Sequence, residues 1–532
     1  MPGRVDTADA VVIGAGHNGL VAAAMLADAG WDVLVLEAQP EPGGAVRSAE
    51  LTPGYITDLF SSFYPMTVAS PAIAALRLED HGLRWSHAPA VVGHPRGGTD
   101  DDPPVLYRDP ERTAAEFDRR TLGDGENWWR VVRLWDQIKS PLLDAMLSPF
   151  PPVRPMMRLL RKLGTSEAVR LAHLLLQPAN TLVDRLFIGD APRTLLLGNA
   201  MHADAPPDAP GSGAMGFLMT MLGQEHGWPV PVGGSGQLTA ALVNRARSAG
   251  VHIECNQDVA QIQVRSGRAV AVSTADGRTV RARRAVVADV SAPRLFGDML
   301  PRDAVPAGLL RELEHYVWDP PVVKVNYALN GTIPWRSESL RSTGTVHLGA
   351  DADGLVRWMA DLNTRVVPEH PFMLLGQTTT ADPSRSPEGT ESVWAYTHLP
   401  RNVADDASAE QLAEAVDRVI EEHAPGFGGR VIDRFVQRPS DLEASDANLH
   451  LGALNGGTAQ LQQMLIFRPA PGMGRAETPV GRLYLGSASA TPGGSVHGAC
   501  GRNAANAALR ADGVTGWPRR TFSRAVMSRL VD

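Results

Sequence analysis

The chain has 532 residues, of which 44% are hydrophobic, 20% are charged and only 6% are aromatic. At roughly 150 residues per domain this length suggests about three domains, and the ordinary apolar content excludes disorder for most of the chain. Fifty basic against 58 acidic side chains give a net charge of −8, which argues against nucleic-acid binding because such domains carry a basic excess. Cys255 and Cys500 form neither a disulfide framework nor a CxxC pair, so we expect a reducing compartment.

The first residues lack the apolar run of a signal peptide. No later stretch approaches the roughly 20 consecutive apolar residues of a membrane-spanning helix. We therefore expect a cytoplasmic protein, with contact to a membrane surface left open.

A glycine-rich turn follows the first predicted strand. Asp9–Gly14 is a short apolar run, and Gly14-Ala15-Gly16-His17-Asn18-Gly19 leads into an alanine-rich helix that ends at Gly30. In a GxGxxG turn the glycines permit a tight bend, close approach to a pyrophosphate and close helix–strand packing. The helix N-terminus also offers free N–H groups to phosphates. The pattern predicts a dinucleotide-binding turn; a glycine turn without a ligand is the alternative.

An acidic residue ends the second predicted strand. Trp31–Leu36 is followed by Glu37, 23 residues after Gly14. A carboxylate there accepts bonds from an adenosine ribose and repels a ribose 2′-phosphate, so FAD or NAD is expected rather than NADP.

The next segment carries a resemblance to a known family. Ala38–Arg47 contains the Gly43-Gly44 doublet followed by Arg47. This arrangement resembles the FAD-dependent amine oxidase and phytoene desaturase superfamily, in which such an element wraps the FAD pyrophosphate and ribose. The resemblance implies FAD as the cofactor and makes Gly43, Gly44 and Arg47 its contacts, whereas a solvated surface charge is the other interpretation of Arg47.

A second stretch is similar to the same superfamily. Pro231–Leu238 precedes a predicted helix and then alternating strands that turn at Asp276-Gly277. The resemblance implies that Val259 lies against the adenine. We interpret the glycines after Pro231 as a substrate-facing turn because no buried strand precedes them, and no separate NAD(P)H-binding fold is apparent.

The third stretch is the most specific. Thr478–Leu509 contains a strand, a Gly/Ser/Ala-rich loop and a helix that begins near Gly498. In the family this helix points its N-terminus at the flavin pyrimidine edge, where its dipole stabilises an anionic reduced flavin. The preceding Ala453–Pro471 resembles the carotenoid ketolase branch. Thr491 and Ser495 depart from the family's usual His and Gly, which suggests a substrate other than a typical carotenoid.

The family resemblance and the glycine turn together define a cofactor site. The cofactor-binding residues that they imply are Gly14, Gly16, Asn18, Gly19, Glu37, Gly43, Gly44, Arg47, Val259, Ser487, Gly494, Val496 and Gly498. No metal site is expected, because clustered His and Cys residues and the HExxH pattern are absent from the sequence.

Because the three stretches are widely spaced, we expect an α/β fold in which a Rossmann-like FAD-binding domain is discontinuous. Its predicted segments are 1–95, 225–295 and 471–515, and segments 96–224 and 296–470 are predicted to form an interleaved α+β substrate domain with a helical cap. Residues 516–532 form a basic C-terminal tail that contains Arg519, Arg520, Arg524 and Arg529.

Helical spacing of apolar residues predicts helices within Asp124–Ser148 and Arg158–Asp184. Around Met156–Leu163 apolar and basic side chains mix within about two turns, as in a membrane-surface helix. An ordinary amphipathic cap helix is the alternative, and the same two interpretations hold for the tail.

Few residues stand out as catalytic. Flavin oxidations need mainly a positioned C–H bond and exclusion of water. Lys324 falls where several amine oxidases carry a lysine beside the flavin, and His497 lies within the predicted flavin loop. Both are candidate catalytic residues, with a satisfied strand lysine as the alternative for Lys324.

These features predict an FAD-dependent oxidoreductase of the phytoene desaturase and carotenoid ketolase type, which oxidises a hydrophobic isoprenoid or lipid by hydride transfer to flavin N5. Two alternatives on the same fold are an amine or amino-acid oxidase and a non-catalytic isoprenoid-binding protein. A hydrophobic small molecule is the expected partner, without nucleic acid.

Overall fold

The computed structural model describes residues 6–512. The predicted basic tail at 516–532 therefore lies outside the described residues. Within the described part, no helix is both long enough and apolar enough to cross a membrane.

The strands of the described residues, in chain order, are β1 (Thr7–Ile13), β2 (Val33–Leu36), β3 (Ser48–Thr52), β4 (Tyr55–Asp58), β5 (Trp85–Ser86), β6 (Ala90–Gly93), β7 (Val105–Leu106), β8 (Val230–Pro231), β9 (His252–Glu254), β10 (Val259–Arg265), β11 (Arg268–Thr274), β12 (Thr279–Ala288), β13 (Val322–Leu329), β14 (Thr343–Leu348), β15 (Met373–Gln377), β16 (Glu391–His398), β17 (Val431–Gln437) and β18 (Leu483–Leu485).

The α-helices of the same residues are α1 (His17–Asp28), α2 (Pro65–Val68), α3 (Pro71–Ala74), α4 (Pro110–Arg120), α5 (Asp124–Met146), α6 (Val153–Leu175), α7 (Ala179–Leu186), α8 (Asp190–Ala200), α9 (Ser212–His226), α10 (Gly236–Ser248), α11 (Ala292–Arg294), α12 (Ala307–Glu314), α13 (Ala352–Asn363), α14 (Thr378–Ala381), α15 (Asp406–His423), α16 (Pro439–Ser445) and α17 (Ala499–Asp512).

The first sheet is built around a parallel core. β1 pairs in parallel with β2 and with β12, β2 pairs with β9, and β12 pairs with β18. β10 and β11 extend the sheet beyond β12 as an antiparallel ribbon. The β1–turn–α1–β2 unit confirms the local elements predicted from the sequence, and strands from distant parts of the chain complete one Rossmann-like sheet.

Both faces of this sheet are buried, because consecutive side chains of a strand point to opposite sides. Val12 packs on the face that carries α1, α10 and α17. Val11 packs on the other face with residues of β10, β11 and the segment after α11. The apolar run without alternation before Gly14 is explained by this two-sided burial.

The second sheet has the strand order β17-β13-β16-β15-β14-β6-β7. Its pairs are antiparallel except for β14 with β6. One face packs on α15, and helices α5 to α9 form the cap through a large core that includes Trp128, Trp135 and Phe217. The α/β fold with a helical cap is thereby confirmed.

The domain boundaries remain a prediction. β6 lies within segment 1–95, which we assigned to the cofactor domain, but it pairs in the second sheet. The chain therefore crosses between the two sheets within that segment as well as at its predicted ends.

Candidate active site

Two cavities adjoin where the carboxyl ends of β1, β2 and β12 meet the second sheet. The glycine-turn cavity, with a volume of about 140 Å3, lies against the turn after β1. The apolar cavity, with a volume of about 410 Å3, lies between the second sheet and the helical cap. Residues that line both cavities mark their junction, and they are His17, Ala45, Leu449, Leu454 and Ala488.

The glycine turn has the predicted shape. Gly14 and Gly16 line the glycine-turn cavity together with Asn18. Gly19 lies outside its lining, and a β-carbon there would lie 2.2 Å from the carbonyl oxygen of Gly14. Only glycine therefore lets α1 start this close to β1.

The Glu37 side chain lies at the glycine-turn cavity and connects two backbone segments of its wall. It lines the glycine-turn cavity, and its carboxylate accepts hydrogen bonds from the backbone N–H groups of Ala15 at 2.6 Å and Gln39 at 2.9 Å. Burial raises the pKa of the Glu37 carboxyl above its ordinary value. The residue thus fixes the turn after β1 against the end of β2.

The glycine doublet and Arg47 differ in their positions relative to the cavity. Gly44 lines the glycine-turn cavity, whereas Gly43 and Arg47 do not. The Arg47 guanidinium donates to the carbonyl oxygens of Gly44 at 3.0 Å and Ser445 at 2.9 Å. It therefore ties this loop to the end of α16, and direct contact of Gly43 and Arg47 with FAD stays a prediction.

Later parts of the chain supply the remaining walls. Val259 at the start of β10 and Ser487 after β18 line the glycine-turn cavity, and their contact with FAD stays a prediction. The segment 445–449, which the sequence reasoning missed, also lines it. Pro231–Leu238 lines neither cavity, and its interpretation as a substrate-facing turn stays a prediction. Its Gly233 and Ser235 N–H groups instead bind the carboxylates of Asp382 and Asp58.

The predicted flavin loop lies at the apolar cavity. Gly494 and Val496 line that cavity, together with His497. Gly498 lines neither cavity, because it packs against Val21 of α1, where a β-carbon would lie 2.8 Å from a methyl group. Contact of these residues with a flavin stays a prediction, and the loop leads directly into the N-terminus of α17.

Asp289 is a site residue that the sequence reasoning missed. It follows β12, lines the glycine-turn cavity and accepts a hydrogen bond from the Gly19 N–H group at 2.8 Å. Burial raises the pKa of Asp289 to about 8, so its carboxyl group is largely neutral near pH 7. Its position after an apolar strand beside β1 could have identified it, because ligands bind at the carboxyl ends of parallel strands.

His17 lies at the junction of the cavities. Its Nε2 atom is buried without a hydrogen-bond partner among the described residues, and burial lowers its pKa to about 4. A neutral imidazole with an unpaired nitrogen, in a residue that lines both cavities, fits a polar ligand at their junction. With the open glycine turn and the neutral Asp289, the residues present fit an FAD molecule.

Lys324 on β13 also lines the apolar cavity. Its ammonium group donates to the carbonyl oxygens of Asp58 and Phe60, and burial lowers its pKa to about 7. Two of its three donors are thus engaged by the backbone. A catalytic role for Lys324 remains a prediction.

His497 has its Nδ1 atom engaged locally, because this atom accepts the N–H of Ala499 at 3.1 Å. Burial, together with the neighbouring His17 and Arg502, lowers the pKa of His497 to about 3. The side chain stays neutral at physiological pH, and its predicted catalytic role is likewise untested.

The fold and the glycine-turn cavity are those of a dinucleotide-dependent oxidoreductase, and the apolar cavity adjoins that turn. The family model of flavin containing amine oxidoreductases matches residues 19–509, and the chain belongs to this family. It is an FAD-dependent enzyme, as predicted.

The chain is similar to several known proteins. It is 29% identical to "Pyridine nucleotide-disulfide oxidoreductase domain-containing protein 2" of Rattus norvegicus, over 94% of this chain and 93% of the relative. It is 31% identical to hydroxyneurosporene desaturase of Cereibacter sphaeroides, over 59% of this chain and 65% of that protein. The structure of wild-type putrescine oxidase bound to putrescine superposes with a TM-score of 0.59 at 15% identity, covering 95% and 99% of the two chains. These similarities confirm the predicted desaturase-like resemblance, and the last of them shows the shared fold.

Replacing Glu37 with alanine is expected to weaken FAD binding by about 10- to 100-fold, which corresponds to a charge-assisted hydrogen bond of about 1.5–3 kcal/mol. The change removes the predicted ribose acceptor and leaves the N–H groups of Ala15 and Gln39 unpaired. Titration of apoprotein with FAD, followed by quenching of flavin fluorescence, measures the Kd. Glu41→Ala is the matched control, since the Glu41 side chain is 63% exposed. Equal Kd values for both variants would contradict the placement of Glu37.

FAD affinity is expected to fall as the pH rises through about 8, the pKa of Asp289. A neutral carboxyl group tolerates a diphosphate at the N-terminus of α1, whereas the ionised form repels it. Bound diphosphate favours protonation, so the affinity is fully present below this pKa and declines above it. Measuring the FAD Kd from pH 6 to pH 9 should show this decline in the wild type and a much flatter profile for Asp289→Asn. Parallel profiles would assign the decline to another group.

Proposed function

We propose that the enzyme dehydrogenates a neutral hydrophobic substrate, an isoprenoid or another lipid, held in the apolar cavity. The observation that carries this proposal is the charge of the cavity wall. None of the described residues that line it is acidic, whereas Lys324 and Arg468 are basic. A protonated amine would lose its hydration there without gaining a carboxylate partner.

The rest of the wall suits an apolar ligand. Adaptable and aromatic side chains from the cap, from the second sheet and from the segments beside them line the cavity, and they include Phe60, Phe63, Met66, Met146, Met215, Leu218, Met219, Trp228, Leu374, Trp394, Tyr396 and Met464. Methionine fills irregular space without a fixed shape. Hydroxyneurosporene desaturase, a relative named above, is by its name a desaturase, which agrees with dehydrogenation here.

FAD, when bound, supplies a two-electron acceptor for a hydride. The residues of this chain bind it at the glycine turn, hold the substrate against the loop 491–497 and exclude water from the junction. The N-terminus of α17, directly after that loop, supplies a positive dipole end for negative charge that develops there.

Anaerobic mixing of the holoenzyme with polyenes and other isoprenoid lipids tests the substrate class. Bleaching of the oxidised-flavin absorbance, with a desaturated product found by mass spectrometry, is the expected result. A flavin that dithionite reduces but no apolar compound bleaches would overturn the proposal.

A second candidate is an amine or amino-acid oxidase, favoured by Lys324. This lysine lines the apolar cavity, and its ammonium lies 5.8 Å from the ring centre of Trp394. Peroxide release from a panel of amines and amino acids, together with no bleaching by polyenes, would replace the first proposal with this one.

We also propose that helix α6 contacts a lipid surface. The exposed apolar side chains of its first half are Val153, Met156, Met157 and Leu160, and exposed Arg154, Arg158, Arg161 and Lys162 lie among them. Phe150 and Pro152, just before α6, line the apolar cavity. This combination supports entry of an apolar substrate from an anionic lipid surface.

Cosedimentation with anionic phospholipid vesicles tests this contact. The double variant Met156→Ser/Met157→Ser is expected to bind several-fold less, whereas Leu122→Ser, which changes a side chain that is 89% exposed elsewhere on the cap, should bind as the wild type does. Unchanged cosedimentation of the double variant would favour the ordinary cap helix.

A further inference from the structure

Two buried histidines, His94 and His347, and the half-buried His202 form a row that ends at the apolar cavity. His202 follows α8 and lines the cavity. Its Nε2 atom lies 3.1 Å from Nε2 of His347 on β14. The His347 ring meets the ring of His94 edge-on, with 5.3 Å between the ring centres. His94 in turn lies 2.8 Å, through Nε2, from the carbonyl oxygen of Ala350.

All three imidazoles are neutral at physiological pH. Burial lowers the pKa of His202 and of His94 to about 4, and it lowers the pKa of His347 well below its ordinary value. A neutral imidazole has one nitrogen that donates and one that accepts. The neighbours of the row therefore determine which nitrogen carries each hydrogen.

The position of the hydrogen on each imidazole ring can be assigned, starting from His94. A carbonyl oxygen only accepts, so Nε2 of His94 carries the hydrogen and its Nδ1 is bare. A β-carbon on Gly198 would lie 2.4 Å from Nδ1 of His94 and equally far from Nδ1 of His347. The two Nδ1 atoms are thus within twice that distance of one another, and neither forms a hydrogen bond with any of the described residues.

Two bare nitrogens this close to each other in the protein core repel, so the favourable tautomer places a hydrogen on Nδ1 of His347. Nε2 of His347 is then bare and accepts the hydrogen on Nε2 of His202. This leaves Nδ1 of His202 as a lone-pair acceptor. Among the described residues it has no hydrogen-bond partner, and the half-buried ring of His202 lies at the cavity.

We infer that His202 is a specificity-determining residue that accepts a hydrogen bond from a hydroxyl group on an otherwise apolar substrate, with His347 and His94 as positioning residues that fix its tautomer. The inference rests on the proposed function and adds the substrate class, an isoprenoid or lipid alcohol. The wall around His202 is apolar, with Trp228 packed edge-on against it at 4.8 Å between ring centres and Met219 nearby in the lining. An alcohol can therefore donate a hydrogen bond to Nδ1 of His202, whereas a hydrocarbon or an ether of the same shape cannot.

The probes are farnesol and farnesyl methyl ether, which differ in whether the oxygen can donate. Equilibrium dialysis against holoenzyme, with the ligands quantified by mass spectrometry, gives both Kd values. Wild type is expected to bind the alcohol about two- to tenfold more tightly, the range for one neutral hydrogen bond. His202→Phe and His202→Leu are expected to bind both ligands equally, and His347→Phe should lose most of the preference because the tautomer of His202 is no longer fixed.

The ratio of the two Kd values separates this role from structural damage, because a distorted cavity weakens both ligands together. The control is His252→Phe, because His252 is exposed on β9 and lines neither cavity, and it should keep both Kd values and their ratio. Equal binding of both ligands by the wild type, or an unchanged ratio in both His202 variants, would overturn the inference and leave the proposed function intact. Failure of the wild type to bind either ligand would count against the proposed apolar substrate itself.

Discussion

Replacing Arg385 with methionine is expected to destabilise the folded protein by about 3–5 kcal/mol, the cost of leaving a buried charge without its partner. Arg385 is fully buried. Its guanidinium lies 3.1 Å from the carboxylate of Asp58 and 3.0 Å from that of Asp382. Both carboxylates are buried as well, so methionine fills part of the space but leaves two negative charges in the core.

The same ion cluster holds four parts of the chain together. Asp58 also accepts the N–H of Ser235 at 2.7 Å, and Asp382 accepts the N–H of Gly233 at 2.7 Å. The carbonyl oxygen of Asp58 accepts a hydrogen bond from Lys324. Loss of Arg385 is therefore expected to loosen the wall of the apolar cavity around Lys324 in addition to the whole fold.

The pH dependence of this loss has a defined sign. Burial alone would raise the pKa of Asp58, but Arg385 and hydrogen bonds from Ser62 and Ser235 hold it below its ordinary value. In Arg385→Met, burial still raises the pKa of Asp58 but Arg385 no longer lowers it. The Asp58 carboxylate of the folded variant therefore binds a proton more readily than that of the folded wild type. The difference in unfolding free energy between wild type and Arg385→Met should consequently shrink from pH 7 to pH 5.

Urea unfolding of the holoenzyme, followed by far-UV circular dichroism, measures this difference at both pH values. Arg170→Met is the control, because Arg170 pairs with Glu167 on the surface of α6 with the two side chains 74% and 55% exposed. Such a pair contributes little. If Arg385→Met lost no more unfolding free energy than Arg170→Met, the buried ion cluster would not be needed for stability.

Local patterns predicted the parts of the fold that the chain forms from neighbouring residues. The strand before Gly14, helix α1 and the acid after β2 could be placed because strand burial, turn geometry and helix capping depend on residues close in sequence. The positive φ of 84° at Ser495 also agrees with the glycine that the family usually has there. The helix α17 starts one residue after the predicted position.

The rest of the site could not be predicted because it joins residues that are far apart in the sequence. Asp289 reaches the glycine turn only when β12 pairs with β1, and segment 445–449 reaches it only through the second sheet. The row of His94, His347 and His202 requires β6, β14 and the end of α8 to meet. The sequence around one histidine does not indicate that another histidine lies beside it in the fold. The hydrogen-bond acceptor that we infer at His202 therefore depends on tertiary packing.

The close approach of α1 and α17 makes Gly501 the most demanding glycine of the cofactor domain. A β-carbon on Gly501 would lie 1.9 Å from the carbonyl oxygen of Asn18, and Gly501 is buried. The opposing atom belongs to the backbone of the glycine turn, so no side-chain rotation can relieve the overlap. Alanine would have to push α17 away from the glycine turn, which is predicted to bind the pyrophosphate.

Gly501→Ala is therefore expected to cost about 3 kcal/mol or more, at the upper end of overpacking substitutions, and to lower the FAD content of the purified protein strongly. The flavin-to-protein absorbance ratio and the thermal unfolding midpoint of the holoenzyme measure the two effects. Gly297→Ala is the matched control, because a β-carbon there meets no heavy atom within 4 Å, and it should retain both values. If Gly501→Ala kept the wild-type FAD content and midpoint, the space between α1 and α17 would be larger than the 1.9 Å distance from the added β-carbon implies. The glycine turn would then not depend on the close packing of these two helices.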